Sequence, residues 1–189
     1  MQPKFFALLS ASLLPLVQAD FRIFFAVSND LSEGGATSSN ELLLFNNPPD
    51  CNDISSAVPI SAGSGNGDPN DASSGGFACD GCDADKAPDD FDITRLEIFD
   101  GPDAVGGSTN NPSGVTTEAL GHITLRPNDN GNFDIDFVSL DGKTSGTRGT
   151  CDRSPRPGQT FQCPEGAVNP NGVEIFQCHT DLVLADGVN

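Results

Sequence analysis

The stretch LGHITLRPNDNGNFDIDFVSL, residues 120–140, decides the fold class of this chain. In its second half Phe133, Ile135 and Phe137 alternate with Asp134 and Asp136, so the apolar and acidic side chains belong to opposite faces of a strand. Between the two halves the Asn-Gly pair in PNDNG supplies the positive φ that a tight hairpin turn requires. The stretch therefore predicts a β-hairpin with one buried face and one solvated face.

Other segments of the chain also predict strands, because each is short, apolar and bounded by turn residues. They are residues 20–28, 41–45, 91–99 and 173–184. With no amphipathic helix and no internal repeat, this pattern predicts an all-β fold: a disulfide-stapled antiparallel β-sandwich or small barrel. Long Gly/Ser/Asp-rich loops are expected at residues 61–76 and 100–117.

The N-terminal residues 1–19 have the features of a secretory signal peptide. Lys4 gives a positive start, residues 5–17 form an apolar run, and Ala19 offers a small residue for cleavage. The run is shorter than the roughly 20 apolar residues that a membrane-spanning helix needs. We therefore expect one secreted β domain, residues 20–189, which is released outside the cell as a monomer.

The mature chain would be strongly acidic. The sequence has 27 Asp and Glu against 9 Lys and Arg, and loss of Lys4 leaves 8 basic residues and a formal charge of −19. Such a surface repels phosphate backbones and anionic lipids, so we expect neither nucleic acid nor a membrane as a partner. The charge favours solubility. The partner that remains is an unknown extracellular protein or cell-wall component.

The cysteines number six, an even count that in a secreted chain predicts three disulfides. They are Cys51, Cys79, Cys82, Cys151, Cys163 and Cys178. Spacing does not fix the pairing, but proximity favours Cys151 with Cys163 across a Pro/Gly-rich loop. We assign Cys51 to Cys79 and Cys82 to Cys178 as the other pairs, and alternative pairings stay open.

The acidic stretch CDGCDADKAPDDFD, residues 79–92, has other possible interpretations. Zinc would require a second close pair of Cys or His, and a thioredoxin-like centre would require its C-x-x-C at a helix N-terminus. Neither context is present, so we interpret the stretch as a disulfide-closed corner. A calcium loop of Asp83, Asp85, Asp89 and Asp90 stays open as a minor alternative, although it breaks the EF-hand pattern. We expect no cofactor.

A complete catalytic motif is not found in the sequence, and we assign no catalytic residue. His122 and His179 fall on predicted strands, where a half-buried or surface histidine is commoner than a catalytic one. A glycosidase pair among Glu97, Glu118 and Glu174 stays open. Against it, the chain has neither Trp nor Tyr to stack on a sugar.

Several segments, taken in order, resemble a family of small secreted cysteine-containing proteins of filamentous fungi. They are DFRIF at 20–24, CNDI at 51–54, DDFDITRLE at 89–97, LGHITL at 120–125, DGKTSG at 141–146, the Pro/Gly loop at 151–163 and FQC at 176–178. The resemblance implies an extracellular protein that is a candidate host-interaction effector, with no agreed activity and no catalytic residues. The acidity and the insert at 61–76 differ from the family.

Different classes of function follow from these observations. The first is a secreted, non-catalytic protein that binds a host protein or a wall component. The alternative is a secreted hydrolase with an unrecognised site, which requires a well-formed pocket with His122 or His179 within hydrogen-bond reach of a carboxylate. A calcium-stabilised extracellular module is the third.

Overall fold

The computed structural model describes residues 19–30, 37–56, 60–62, 76–83, 85–100, 121–139, 142–163 and 170–182. Within these ranges the protein forms ten strands, one short helix and one 3-10 turn. The strands are β1 (Ala19–Asp30), β2 (Thr37–Phe45), β3 (Ile60–Ser61), β4 (Gly76–Asp80), β5 (Arg95–Asp100), β6 (Gly121–Pro127), β7 (Phe133–Val138), β8 (Ser145–Arg153), β9 (Thr160–Gln162) and β10 (Asn171–Thr180). The helix is α1 (Cys51–Ser56) and the 3-10 turn is Pro88–Asp90.

All ten strands belong to one sheet and pair antiparallel. The order is β3-β2-β1-β10-β8-β7-β6-β5-β4, and β9 pairs with the start of β10. The two ends of the sheet meet where Ala62 forms a parallel β-bridge with Phe77, which nearly closes the sheet into a barrel. The all-β prediction is confirmed, and the barrel is the architecture observed of the two that the sequence left open.

The interior of the barrel is filled by one apolar cluster. On β1 the side chains of Phe21, Ile23 and Phe25 point into it, and Val27 packs against it, as the alternation of the strand requires. The other strands contribute their inward residues in the same way. The largest fully buried members include Phe176, Leu42, Leu96, Ile98, Ile123, Leu125, Ile135 and Ile175.

A second apolar cluster lies on the outer side of β1 and β2. Phe24 packs its ring against Phe45 at 5.8 Å and against Phe161 of β9 at 5.7 Å between ring centroids. Ile54 of α1 and Cys163 complete the contact. Strand β1 is therefore buried on both faces, which explains why its sequence FRIFFA is apolar beyond simple alternation.

The predicted hairpin is confirmed as β6 and β7. Phe133, Ile135 and Phe137 are buried, whereas the aspartates between them lie on the outer face. Gly131 has a φ of +85°, and the side-chain oxygen of Asn128 accepts the backbone N–H of the turn residues 130 and 132. The alternation and the turn residues of this stretch therefore predicted the hairpin correctly.

The predicted strand at 91–99 needs correction, because pairing begins only at Arg95. Phe91 and Ile93 precede the strand but are buried, since they fold over one end of the barrel as core residues. At the C-terminus β10 ends at Thr180, before the predicted boundary. The loop predicted at 61–76 has its first and last residues in β3 and β4.

Several elements were not expected from the sequence. Strand β8 is rich in Gly, Thr and charged residues, and only Cys151 among its residues is buried, so it carries no alternating apolar signal. Strands β4 and β9 and helix α1 are too short for a pattern to stand out.

Some predictions fall on residues outside the described ranges. These are the signal peptide up to residue 18, the loop interiors 63–75 and 101–117, and Glu118. Within the part of the chain that is described, no helix is long and apolar enough to cross a membrane.

Candidate functional site

The six cysteines form three disulfides, as predicted, but none of the three assigned pairings is correct. The bridges are Cys51–Cys163, Cys79–Cys82 and Cys151–Cys178. Cys151 lies opposite Cys178 in the β8–β10 ladder and bonds to it, so it is not available to Cys163, which packs against α1. Proximity in the sequence was misleading because strand pairing, not loop length, brings these sulfur atoms together.

The acidic stretch forms a corner at one end of the barrel, residues 79–94, that is closed by Cys79–Cys82. Strand β4 ends in a turn at Gly81, whose φ is +93°. The carbonyl of Gly81 accepts the N–H of Asp92 at 3.2 Å, and the carbonyl of Asp80 accepts the N–H of Thr94 at 3.0 Å. Backbone hydrogen bonds therefore hold the last residues of the corner against its first turn. The disulfide closes that turn itself.

Two arginines at and just after the end of β8 hold this corner on the barrel. Arg153 donates to the carbonyl of Phe91 at 3.3 Å, and its guanidinium lies 5.0 Å from the centre of the Phe176 ring. Arg156 forms an ion pair with Asp90 at 3.1 Å. Burial lowers the pKa of Arg153, and the nearby charge of Arg156 lowers it further.

The calcium-loop alternative is not supported by the positions of its four aspartates. Asp83 accepts the N–H of Asp85 and pairs with Lys86, while Asp90 pairs with Arg156 in another direction. Among the residues that the structure describes, no three His, Cys, Asp or Glu side chains are grouped so that they could hold a metal ion. The four carboxylates do not form the oxygen cage that calcium requires.

The outer face of β4, β5 and β6 carries a chain of polar contacts. Glu97 is 9% exposed, and its carboxylate contacts Nε2 of His122 at 2.6 Å and the guanidinium of Arg95 at 3.5 Å. Arg95 also binds Asp80 at 3.0 Å. The ring of Phe99 meets the His122 ring edge to face at 5.8 Å. A histidine held by a buried carboxylate is one of the two features that the hydrolase alternative required, the other being a pocket.

The second histidine is also flanked by carboxylates. His179 on β10 contacts Asp20 at 3.0 Å through Nδ1 and Asp152 at 3.6 Å through Nε2. Only the Nδ1 contact is within hydrogen-bond distance, and all three side chains are exposed to solvent on the outside of the barrel. This cluster is an exposed ion-pair network, which contributes little to stability.

Of the glutamates considered for a glycosidase pair, Glu97 and Glu174 do not come together, and Glu118 lies outside the described residues. Glu97 lies on β5 in the contacts described above. Glu174 lies on β10, where Arg22 binds it at 2.8 Å and the hydroxyl of Ser154 donates to it at 2.8 Å. Its side chain is fully buried, so it serves as the buried partner of an ion pair.

Seven of the eight basic residues in the described part of the chain have side chains that are engaged within the fold. Six form ion pairs: Arg22, Lys86, Arg95, Arg126, Arg148 and Arg156. Arg153 donates to backbone carbonyls and Lys143 also makes a contact. Asp85, Asp92 and Asp129 are exposed and form no ion pair with described residues. In the part of the chain that is described, these three carboxylates therefore face solvent without an ion-pair partner.

Comparison of the chain with protein-family models, with curated proteins and with solved structures finds no match. The resemblance to secreted fungal proteins therefore stays an expectation.

Part of this arrangement could have been found from the sequence. His122 and Glu97 both occupy outward positions of segments that were predicted to be strands. What was missing was the pairing of β5 with β6 and its register, in which Glu97 lies opposite Thr124 and diagonal to His122. No sequence signal connects the two segments, because residues 101–120 separate them and no tight turn sets their register.

Proposed function

We propose that this protein is secreted and acts outside the cell by binding a cationic partner, without catalysis. The supporting observation is the distribution of ion pairs. The basic side chains pair within the fold, whereas several exposed carboxylates form no ion pair with described residues. A partner with positive charge would complement that surface and would be attracted over a distance of about one Debye length, roughly 10 Å at moderate salt.

The three disulfides support the extracellular part of the proposal, because such bridges persist in oxidising compartments. The resemblance to secreted fungal proteins suggests that the partner is a host protein or a wall component. A cationic wall polymer fits both the expected location and the charge.

The test is binding of the mature protein to chitosan, which carries amines, and to chitin, its acetylated and largely neutral form. We expect co-sedimentation with chitosan at low salt, loss of binding at high salt, and little binding to chitin. A triple change of Asp85, Asp92 and Asp129 to Asn should weaken binding because it removes unpaired charge. Equal binding to both polymers, or none, would overturn the proposal.

A hydrolase is the second candidate, favoured by the 2.6 Å contact between Glu97 and His122. A carboxylate that orients a histidine supplies two of the three members of a catalytic triad, and a nucleophile would have to complete it. A chromogenic acetate ester tests this. Turnover that is lost in His122→Ala and in Glu97→Gln, but kept in the control His179→Ala, would establish the hydrolase; turnover equal in all variants would exclude this site.

A further inference from the structure

The three disulfides differ in what they join. Cys51–Cys163 spans 112 residues and attaches α1 to the segment after β9, and Cys151–Cys178 spans 27 residues and links β8 to β10. Cys79–Cys82 spans 3 residues within a single turn. It connects no two elements, so the usual structural role of a disulfide, which is to restrict a long loop of the unfolded chain, is nearly absent here.

The corner around Cys79–Cys82 has other contacts that would hold it in place without the bridge. Its backbone is clamped by the hydrogen bonds from Asp92 and Thr94 to the turn carbonyls. Side chains add the ion pairs of Arg95 with Asp80 and of Arg156 with Asp90. Opening this disulfide therefore need not open the corner.

Access to the sulfur atoms also distinguishes this bridge. Cys79 and Cys82 are both half-buried at the edge of the main core. Cys151 and Cys178 are sealed inside the barrel at 0% and 1% exposure. In the third bridge Cys51 is exposed, but Cys163 is 1% exposed within the outer apolar cluster. Cys79–Cys82 is therefore the bridge in which both cysteines reach the surface, whereas the other two bridges each have at least one cysteine sealed in an apolar cluster.

We infer that Cys79–Cys82 is a thiol–disulfide exchange site that cycles between disulfide and dithiol while the barrel stays folded. A thiolate of the reductant attacks one sulfur and breaks the S–S bond, giving a mixed disulfide and a cysteine thiolate that takes up a proton. A second thiol of the reductant then displaces the other cysteine. The net change is one protein disulfide reduced to two thiols and one dithiol oxidised to a disulfide.

The chemical class of the reductant follows from the charge of the corner. Asp83 follows Cys82 directly in the sequence, and Asp83, Asp85 and Asp92 are all exposed on the same corner. Negative charge repels an anionic thiol such as glutathione and attracts a cationic one. The site is therefore assigned to uncharged or cationic small thiols.

The experiment is a dithiothreitol titration of the native protein, followed by alkylation of free thiols and peptide mass spectrometry. We expect Cys79 and Cys82 to be alkylated at a concentration about tenfold lower than the other four cysteines, with the far-ultraviolet circular dichroism unchanged. Reduction of Cys51–Cys163 at the same concentration or lower, or loss of the circular dichroism signal in step with Cys79–Cys82 reduction, would overturn the inference.

Variants and a second pair of reductants complete the test. The double variant Cys79→Ser with Cys82→Ser should stay folded and lose the first step of the titration, whereas unfolding of this variant would show that the bridge is structural. The matched control Cys151→Ser with Cys178→Ser should keep the first step. Cysteamine should reduce the site several-fold faster than glutathione at low salt, and equal rates would refute the assigned class of thiol.

Discussion

The guanidinium of Arg153 donates a hydrogen bond of 3.1 Å to the carbonyl of Ile175. Ile175 is the extra residue of a β-bulge, because β1 passes from Ile23 opposite Phe176 to Phe24 opposite Glu174. Its carbonyl has no partner on β1 and is satisfied instead by Arg153 and by the N–H of Ser154. The same guanidinium reaches the acidic corner, so one side chain joins the bulge to the corner.

Replacing Arg153 with Met should destabilise the protein by roughly 2–3 kcal/mol, because it removes the side-chain donor to the Phe91 carbonyl and one of the two donors to the Ile175 carbonyl while keeping most of the side-chain volume. Chemical denaturation measures this change. The matched control is Arg126→Met, which removes an exposed ion pair with Asp136 and should cost less than about 1 kcal/mol. Equal losses in the two variants would contradict the structural role of Arg153.

Two glycines of β8 provide a matched test of close strand packing. Gly146 and Gly149 have similar φ values, +139° and +143°, so an alanine at either site meets the same backbone strain. A Cβ at Gly149 would overlap the carbonyl oxygen of His179 on β10, whereas a Cβ at Gly146 has open space around it.

We therefore expect Gly149→Ala to cost roughly 2 kcal/mol more than Gly146→Ala, since β8 must move away from β10. Thermal and denaturant unfolding of both variants give the difference. Identical melting would mean that β8 and β10 do not approach as closely as described.

The loss of stability on removing a disulfide should increase with the length of chain that the disulfide closes. The chain-entropy model gives roughly 1.6 kcal/mol for a three-residue separation and roughly 3.6 kcal/mol for a 27-residue one. Removing Cys151–Cys178 by double Ala substitution should therefore destabilise the protein about 2 kcal/mol more than removing Cys79–Cys82. Unfolding in denaturant measures both, and the reverse order would refute the connectivity.

The ion pair of Arg148 with Asp181 predicts a specific pH dependence. The side-chain hydrogen bond from Arg148 holds the pKa of Asp181 below its ordinary value. A carboxyl whose pKa is lowered on folding stabilises the fold above its unfolded pKa, and this contribution disappears as the pH falls through the folded pKa.

The variant Asp181→Asn should accordingly melt below the parent protein near neutral pH, and the two melting temperatures should converge as the pH falls through the lowered pKa of Asp181. Differential scanning fluorimetry across this range tests the sign. A gap that stays constant or widens in acid would show that the carboxylate does not stabilise the folded state.

The sequence was informative where a signal is local. The alternation around Phe133 and the Asn-Gly turn predicted β6 and β7 with the correct faces, and the apolar run after residue 20 predicted β1. These signals depend on neighbours in the sequence, and tertiary packing agrees with them.

The sequence was uninformative where the structure depends on long-range pairing. The bond between Cys151 and Cys178 follows from the register of β8 with β10, and β8 itself carries little apolar signal. The contact of His122 with Glu97 likewise depends on the pairing of β5 with β6. Register between distant strands is set by the whole sheet, and a single sequence does not contain it in readable form.

The most direct test of the account is mass spectrometry of the protein recovered from the medium of producing cells, with peptide mapping under non-reducing conditions. We expect a chain that begins at Asp20, no free thiol, and three linked pairs: Cys51 with Cys163, Cys79 with Cys82, and Cys151 with Cys178. A protein retained inside the cells with free thiols would contradict the extracellular, disulfide-stabilised barrel on which the proposed function rests.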